Sequence, residues 1–551
     1  MADTAPRASL ATHEVINQPP LPGDEDWLID DTPLREALDR EAPAWVARRL
    51  APLGRAVGSQ RLQALGEASN RHPPRLRLFD RHGRRLDEVE YHPAYHALMH
   101  EAFDHGWHAV AWQEDGRGGH QAHVAALYLL TQAETGVCCP LTMTHAALPV
   151  LRQDDALMAH WGTRLLAWDY DPRARPSDDK AAVTIGMAMT EKQGGSDVRT
   201  NTTCAEPDAD GAWLTGHKWF CSAPMSDAFL TLAQTPEGLG CFLVPRFLPD
   251  GSRNPIEIQR LKDKCGNRAN ASAEIEYRRA WAHPIGAPGR GIATILEMVQ
   301  QTRLDAAMAP VGMMRQALRE AWRHARHRHT FGRPLSDQPL MRMVIADLAL
   351  EVEAGVALGL RAAQAFDKAV DGGDEHERGL ARLLPTLAKY WHNKRGPGFM
   401  AEAMECLGGI GYVEETPLAR LYREAPVNSI WEGSGNVICL DVLRVMARHP
   451  ESIEALRREL EAARRAQADF DRALAELDQA LTLPDETLAL RARWLAQRMA
   501  QLLQAALLLR HAPEAVAGTF CRSRLGPSPS PAYGVLPADA PLAAILARIT
   551  P

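Results

Sequence analysis

No Cys-x-x-Cys pair occurs among the nine cysteines, and only Cys138 and Cys139 are adjacent. That spacing indicates neither a zinc knuckle nor a disulfide framework, so reduced thiols in a cytoplasmic compartment are expected. The chain shows no apolar run of membrane-spanning length, and Met1-Ala-Asp-Thr-Ala-Pro-Arg7 carries no leader-like apolar segment. No membrane partner is therefore expected. Aromatic residues are scarce at 6%, so a core drawn from the 46% hydrophobic residues must be mostly Ala, Leu, Val and Met. Such a core favours helix over sheet. Positive charge is not in surplus either: 62 Lys and Arg face 69 Asp and Glu, for a net charge of −7. A protein that holds nucleic acid by bulk charge over its whole surface is thereby excluded.

The length of 551 residues predicts three or four domains. An irregular arm punctuated by Pro19, Pro20, Pro22 and Gly23 leads to a helix near Pro33, with Thr32 as its N-cap. Residues 33–170 read as helical, with loops at His72-Pro73-Pro74 and 115–119. The pattern changes near 181. Ala273, Ile275 and Tyr277 alternate with Glu274, Glu276 and Arg278, the period of a half-buried strand. With Ala212–Trp219 and Cys241–Val244 it marks 181–287 as a small β domain. Val344, Leu348, Val352, Val356 and Leu360 then restore helical spacing. Helices are expected over about 292–328, 376–406 and 436–447, then around 451–480 and 486–511, ahead of a disordered Pro/Ser-rich tail. The predicted fold class is mainly α with a small β domain: a helical region 1–180, the β domain, a helical bundle 288–446 and an extra helical region 447–551.

Five segments carry chemistry. Met189–Asp197 holds Gly194, Gly195 and Ser196, small residues that let a backbone approach a bound group. Gly216–Ser222 ends a strand with Trp219, Phe220 and a hydroxyl, a surface on which a planar ligand can stack. Arg328–Pro334 closes a long helix and offers a guanidinium for phosphate. Leu407–Tyr412 follows a helix, so its glycines are not a dinucleotide fingerprint. Asn428–Asn436 sets Glu432 among glycines before an apolar helix. That acid is either a partner of the helix dipole or a general base whose pKa is raised by an apolar pocket. His324, His327 and His329, like His92 and His96, lack the companions of a metal site, so no metal is expected.

In order and spacing these segments resemble the acyl-CoA dehydrogenase family of flavoproteins over about 35–446. The resemblance implies an N-terminal helical domain, a central β-barrel and a C-terminal four-helix bundle, assembled as a homotetramer that binds FAD. It places Met187, Met189, Thr190, Gly195 and Ser196 along the flavin and Phe220, Cys221 and Ser222, beside Trp219, at its ring. Arg328, Phe331, Gln338, Gly408 and Gly409 resemble contacts to a neighbouring subunit's FAD. Ile430, Trp431, Gly433, Ser434, Gly435 and Asn436 complete the cradle. Glu432 stands where many members carry the base that removes the proton alpha to an acyl-CoA thioester. Some relatives carry it on another helix, but Gln301-Thr302-Arg303 offers no carboxylate, and Asp305 is the nearest acid.

Asn17–Pro20, Met189–Val198, Gly216–Trp219, Val244–Asp250, Leu261–Lys264 and Pro426–Asn436 resemble one branch specifically, the AidB-like proteins of the response to DNA alkylation. That resemblance implies double-stranded DNA as a partner, protection against alkylation damage, and at most weak isovaleryl-CoA-type dehydrogenase activity. The alternative is a metabolic dehydrogenase of short or branched acyl-CoA. Residues 441–551 contain 14 Arg, no Lys and 13 Asp or Glu. Within 487–530, Arg491, Arg493, Arg498, Arg510, Arg522 and Arg524 face Glu514 alone, a local excess suited to phosphates. Arg444 corresponds to an arginine implicated in DNA binding in that branch.

Overall fold

The structure, a computed structural model, describes residues 6–20, 22–114, 116–370 and 373–549. The first helices are α1 (Thr32–Glu41), α2 (Ala44–Val57) and α3 (Gln60–Arg71). Asp31, not Thr32, caps α1: its carboxylate accepts from the Leu34 amide at 3.1 Å. A hairpin of β1 (Arg75–Phe79) and β2 (Arg85–Glu90) then follows the expected loop at His72-Pro73-Pro74, where the sequence predicts a return to helix. It is held from outside, because the Ile258 amide donates to Asp87 at 2.7 Å and Arg85 donates to the Ile258 carbonyl at 3.0 Å. Helices α4 (Pro93–Phe103), α5 (Gly119–Ala133) and α6 (Cys138–Leu151) complete this region.

Seven strands follow: β3 (Ile185–Ala188), β4 (Cys204–Asp208), β5 (Gly211–Ser222), β6 (Ala228–Thr235), β7 (Gly238–Pro245), β8 (Ile256–Leu261) and β9 (Ser272–Ile285). Their order is β3-β6-β4-β5-β9-β7, with β8 added on β9, and a β6–β7 pairing closes the path. Strand β6 shows how the two faces are used. Phe229 and Ala233 join one core, while Leu230 and Leu232 pack with Leu148 and Val150 of α6. A strand buried on both faces reads as a continuous apolar run, which is why Ala228-Phe-Leu-Thr-Leu-Ala233 lacks alternation.

The bundle consists of α7 (Gly291–His327), α8 (Pro339–Lys368) and α9 (Glu375–Leu407), with α10 (Pro417–Glu424) beyond. At 37 residues, α7 is about 55 Å long and runs from the β strands past α5 and α6. Helix α11 (Gly435–Arg448) completes the bundle, and the extra region comprises α12 (Pro450–Glu461), α13 (Ala468–Ala480), α14 (Asp485–His511), α15 (Glu514–Arg524) and α16 (Leu542–Leu546). Helix α14 is wedged against α8, α9 and α11.

The described part of the Pro/Ser-rich tail is docked instead of loose. Tyr533 lies under the Arg395 guanidinium, 4.2 Å from its ring centre, and the Gly534 amide donates to Asp347. Arg548 bridges Glu36 and Glu353, and the buried Arg315 donates to the Ile549 carbonyl. The prolines stop helices, but the apolar Ile545, Leu546 and Ile549 still find a seam to fill. No helix among the described residues is long and apolar enough to cross a membrane.

Candidate active site

Glu432 lies in the short loop ahead of α11, with left-handed backbone at φ 55°, and Gly433 follows at φ 100°. A non-glycine residue held there is strained, and the surroundings hold it. The Thr302 hydroxyl of α7 donates to Glu432 Oε2 at 2.5 Å. Arg303 Nε donates to the Glu432 carbonyl at 3.3 Å while its Nη1 pairs with Asp441 at 2.8 Å. Lys389 of α9, fully buried, donates to the Gly433 carbonyl. Burial pushes the Glu432 carboxyl up from its ordinary value, with Asp305 adding to the rise; Thr302, Lys389 and Arg303 oppose it. Lys389 is pushed down to about 7 by burial, against the pull of Glu432. A carboxyl poised in this way can take a proton near neutral pH. Lys389 has no motif, so nothing in the sequence singled it out.

Asp305, the nearest alternative acid, is engaged elsewhere. It accepts from His123 at 3.0 Å and from Thr142 at 2.6 Å, and it raises His123 against the effect of burial. His123, His145 and Asp305 place three donor atoms within 4.8 Å of one another. The two imidazoles, however, are stacked at 3.8 Å with planes 18° apart. Parallel rings send their in-plane lone pairs along parallel lines, so one ion cannot lie in both planes. Each Nδ1 faces a backbone carbonyl, Trp107 or His108. Of the other histidines, His92 caps α4 by accepting from the Ala94 amide.

The β motifs converge on the same place. Met187 and Met189, two apart on and just beyond β3, are half-buried, and Thr190 follows. A β-carbon on Gly195 would fall 2.4 Å from Thr190 Oγ1, so only glycine lets this loop fold back; Ser196 beside it is exposed. The Trp219 amide donates to the Thr190 carbonyl at 2.7 Å, joining the two segments. Beneath them Glu191, fully buried, accepts from Lys218 at 2.8 Å and Thr203 at 2.6 Å. Against the penalty of burial, these contacts hold Glu191 down to about 2. That buried pair was invisible as a motif, yet it fixes both loops.

Strand alternation sorts the aromatic segment. Phe220 is exposed, and the Ser222 hydroxyl has only Ser272 at 3.4 Å besides the Cys139 thiol. Cys221 faces the core with its side chain fully buried. Trp219 carries the Lys262 ammonium 3.1 Å from its ring centre, and that face is occupied. Cys139 of α6 links this edge to the base: burial, with the Glu432 charge, pushes its thiol up to about 12, and it bonds Ser222 and Asn270. Around the cleft, Trp431 Nε1 is buried without a partner. Ile430 and Asn436 are exposed, and Gly433, Ser434 and Gly435 are half-buried.

Arg328, Phe331, Gln338, Gly408 and Gly409 stand apart from this loop. Arg328 donates to the Asn17 carbonyl at 2.9 Å, and Gln338 donates to the Thr330 carbonyl at 3.0 Å. Phe331 is 97% exposed, Leu340 82% and Tyr412 80%, while β-carbons on Gly408 and Gly409 would meet nothing within 4 Å.

The tail arginines do not form one free basic face. Arg524 is buried on Asp347 and Glu351, and Arg498, only 12% exposed, pairs with Glu476 at 3.3 Å. Arg510 pairs with Glu459 at 3.0 Å and Arg522 with Asp539 at 2.8 Å. These partners lie outside the window in which the excess was counted. Arg444 is exposed beside Asp441, Arg491 rests on Trp494 with its guanidinium 4.1 Å from the ring, and Arg493 points at Gly435.

Comparisons with known proteins agree in part and in whole chain. Residues 17–172 match the adaptive response protein AidB N-terminal domain, 186–280 the acyl-CoA dehydrogenase middle domain, and 289–447 the acyl-CoA dehydrogenase C-terminal domain. The chain is 50% identical over 438 residues to the putative acyl-CoA dehydrogenase AidB of Escherichia coli, covering 79% of this chain and 80% of that one. It is 33% identical over 443 residues to acyl-CoA dehydrogenase family member 11 of Caenorhabditis elegans, covering 77% and 70%. The solved structure of Caenorhabditis elegans ACDH-11 in complex with C11-CoA superposes with a TM-score of 0.83 at 28% identity, covering 95% of this chain and 93% of that one.

Proposed function

This chain belongs to the acyl-CoA dehydrogenase family, in its AidB-like branch, and from that premise we propose that it binds an acyl-CoA in the Glu432 cleft and removes the proton alpha to the thioester. Members of the family are FAD-dependent flavoproteins. The residues present fit such a group: an exposed aromatic ring at Phe220, an underused hydroxyl at Ser222, half-buried Met187 and Met189, and the orphan Trp431 Nε1. Bound FAD supplies the two-electron acceptor. Glu432 takes the proton, Thr302 holds the receiving carboxylate, and the Arg303 and Lys389 contacts keep its loop in place. The relative solved with C11-CoA supports an acyl thioester as ligand.

The observation that carries this proposal is the raised carboxyl of Glu432, bonded by Thr302 on its pinned loop. In Glu432→Gln, acyl-CoA-dependent bleaching of the flavin at 450 nm is expected to slow at least ~100-fold while the protein stays yellow. Equal rates in the two proteins would remove Glu432 from the chemistry. The exposed apolar set Phe331, Leu340 and Tyr412 is consistent with burial between copies in a homotetramer.

The AidB-like branch also supports a second role, binding of double-stranded DNA without sequence preference in protection against alkylation, with dehydrogenation weak. Arg444, Arg448 and Arg491 are the cations for it, since Arg498, Arg510, Arg522 and Arg524 are each paired with a carboxylate of this chain. Retardation of arbitrary duplexes should weaken steeply between 50 and 200 mM salt, and the paired reversal Arg444→Glu, Arg491→Glu should weaken it further without bleaching the flavin. No retardation at low salt would leave the metabolic dehydrogenase as the function.

A further inference from the structure

A lysine without an acid of its own stands behind the Cys139 edge of the cleft. Lys264, in the loop between β8 and β9, donates to the Asn270 carbonyl at 2.6 Å and to the Ser272 hydroxyl at 3.1 Å. Both acceptors are neutral, and among the described residues no carboxylate lies within ion-pair distance of it. The acids nearby are engaged: Glu134 accepts from Asn70 and from the Val137 amide, and Glu424 accepts from the Asn267 amide at 2.7 Å. Burial, with the Glu134 charge, also pushes Glu424 up to about 7, so it is only partly charged near neutral pH. An ammonium withdrawn from water and left unpaired is costly, and burial pushes Lys264 down to about 8.

A second group at this place is also unsatisfied. Asn270 is 1% exposed, and neither atom of its side-chain amide has an oxygen or nitrogen partner. It faces the Cys139 thiol, which also bonds Ser222 and feels the charges of both Lys264 and Glu432. Cys139 thus links the lysine to the side of the cleft that holds the base. Ser222 and Ser272 stand opposite each other across β5 and β9, so strand register fixes this wall. Lys264, Ser222 and Cys139 are each half-buried and reachable, while Asn270 backs them. Buried polar groups find partners in native proteins, and an ammonium beside an amide N–H suits an anion with two acceptor oxygens. We propose that Lys264 and Asn270 form a polar recess that receives a carboxylate at the far end of an acyl thioester whose α-carbon lies at Glu432. This rests on the acyl-CoA reading above and names its substrate class, the coenzyme A monothioester of a dicarboxylic acid. A plain aliphatic chain would leave both groups unpaired, and ordered water in the recess is the competing occupant.

The test measures dissociation constants by calorimetry on the full-length, flavin-loaded protein, with Glu432→Gln in every sample so that no ligand is consumed. Succinyl-, glutaryl- and adipyl-CoA are each compared with the plain thioester of equal length, butyryl-, valeryl- and hexanoyl-CoA. At least one carboxylate-ended thioester should bind about tenfold tighter than its plain counterpart. That advantage should fade above about pH 8, as the lysine loses its proton. Lys264→Met should erase it. Asn270→Asp, which keeps the lysine and fills the recess with a carboxylate of the chain itself, should erase it too. Equal binding within every pair overturns the recess and leaves it to water, as does an advantage that survives both substitutions. If no thioester of either kind binds, the acyl-CoA reading itself fails, a distinguishable outcome.

Discussion

At the scale of single residues, Lys389 is the most consequential side chain that no motif announces. It is one lysine within a long helix, and a lysine there ordinarily reads as solvated. Only the fold brings its ammonium to the Gly433 carbonyl and its charge to Glu432. Removing that charge raises the Glu432 pKa further, and a base works only when ionised, so activity must then appear at higher pH. In Lys389→Met the acid limb of the pH–rate profile is expected to move up by about one unit, and Lys389→Arg should hold it near the wild-type position. An unmoved limb in Lys389→Met would mean that the lysine serves the loop alone. Glu432, by contrast, was legible because glycines on one side and an apolar helix on the other isolate it. The tail arginines misled for the opposite reason: Arg524 meets Asp347 across 177 residues of chain, a pairing that no local charge count detects.

At the scale of elements, long periodic helices were readable and short strands were not. The spacing from Val344 to Leu360 falls within α8, whereas Arg75-Leu-Arg-Leu-Phe79 is too short an alternation to outweigh the helices around it, and its partner strand β2 is tied to β8. The join between α8, α12 and α14 carries a testable charge cluster. Glu459 of α12 accepts from Arg361 at 2.8 Å and pairs with Arg510 at 3.0 Å, with His376 at 3.2 Å. Against burial, these partners hold it down to about 2. A carboxyl depressed by folding adds stability above its unfolded value, and that gain is lost as pH falls through its folded value. Glu459→Gln is therefore expected to cost on the order of 3 kcal/mol at pH 7 and to match the wild type near pH 2. Urea unfolding at the two pH values measures both, and an equal deficit at both would exclude the ion cluster as its cause.

At the scale of the whole molecule, the extra region is built into the bundle by buried ion pairs instead of being tethered to it. Asp347, Glu351 and Glu353 of α8 receive Arg524 and Arg548, with Arg395 of α9 also on Glu351, so the last quarter of the chain helps to neutralise a row of acids on that helix. The Pro/Ser-rich stretch gave no hint of this, because prolines fix where helices stop and say nothing of where the intervening chain docks.

The bond from Arg315 to the Ile549 carbonyl joins positions 234 residues apart. During synthesis at roughly 5–20 residues per second, the interval between the two is on the order of tens of seconds. Throughout that interval a groove lined by α1, α7 and α8 stays open to water, and any nascent chain stalled short of its closing residues would offer that groove to chaperones and proteases alike.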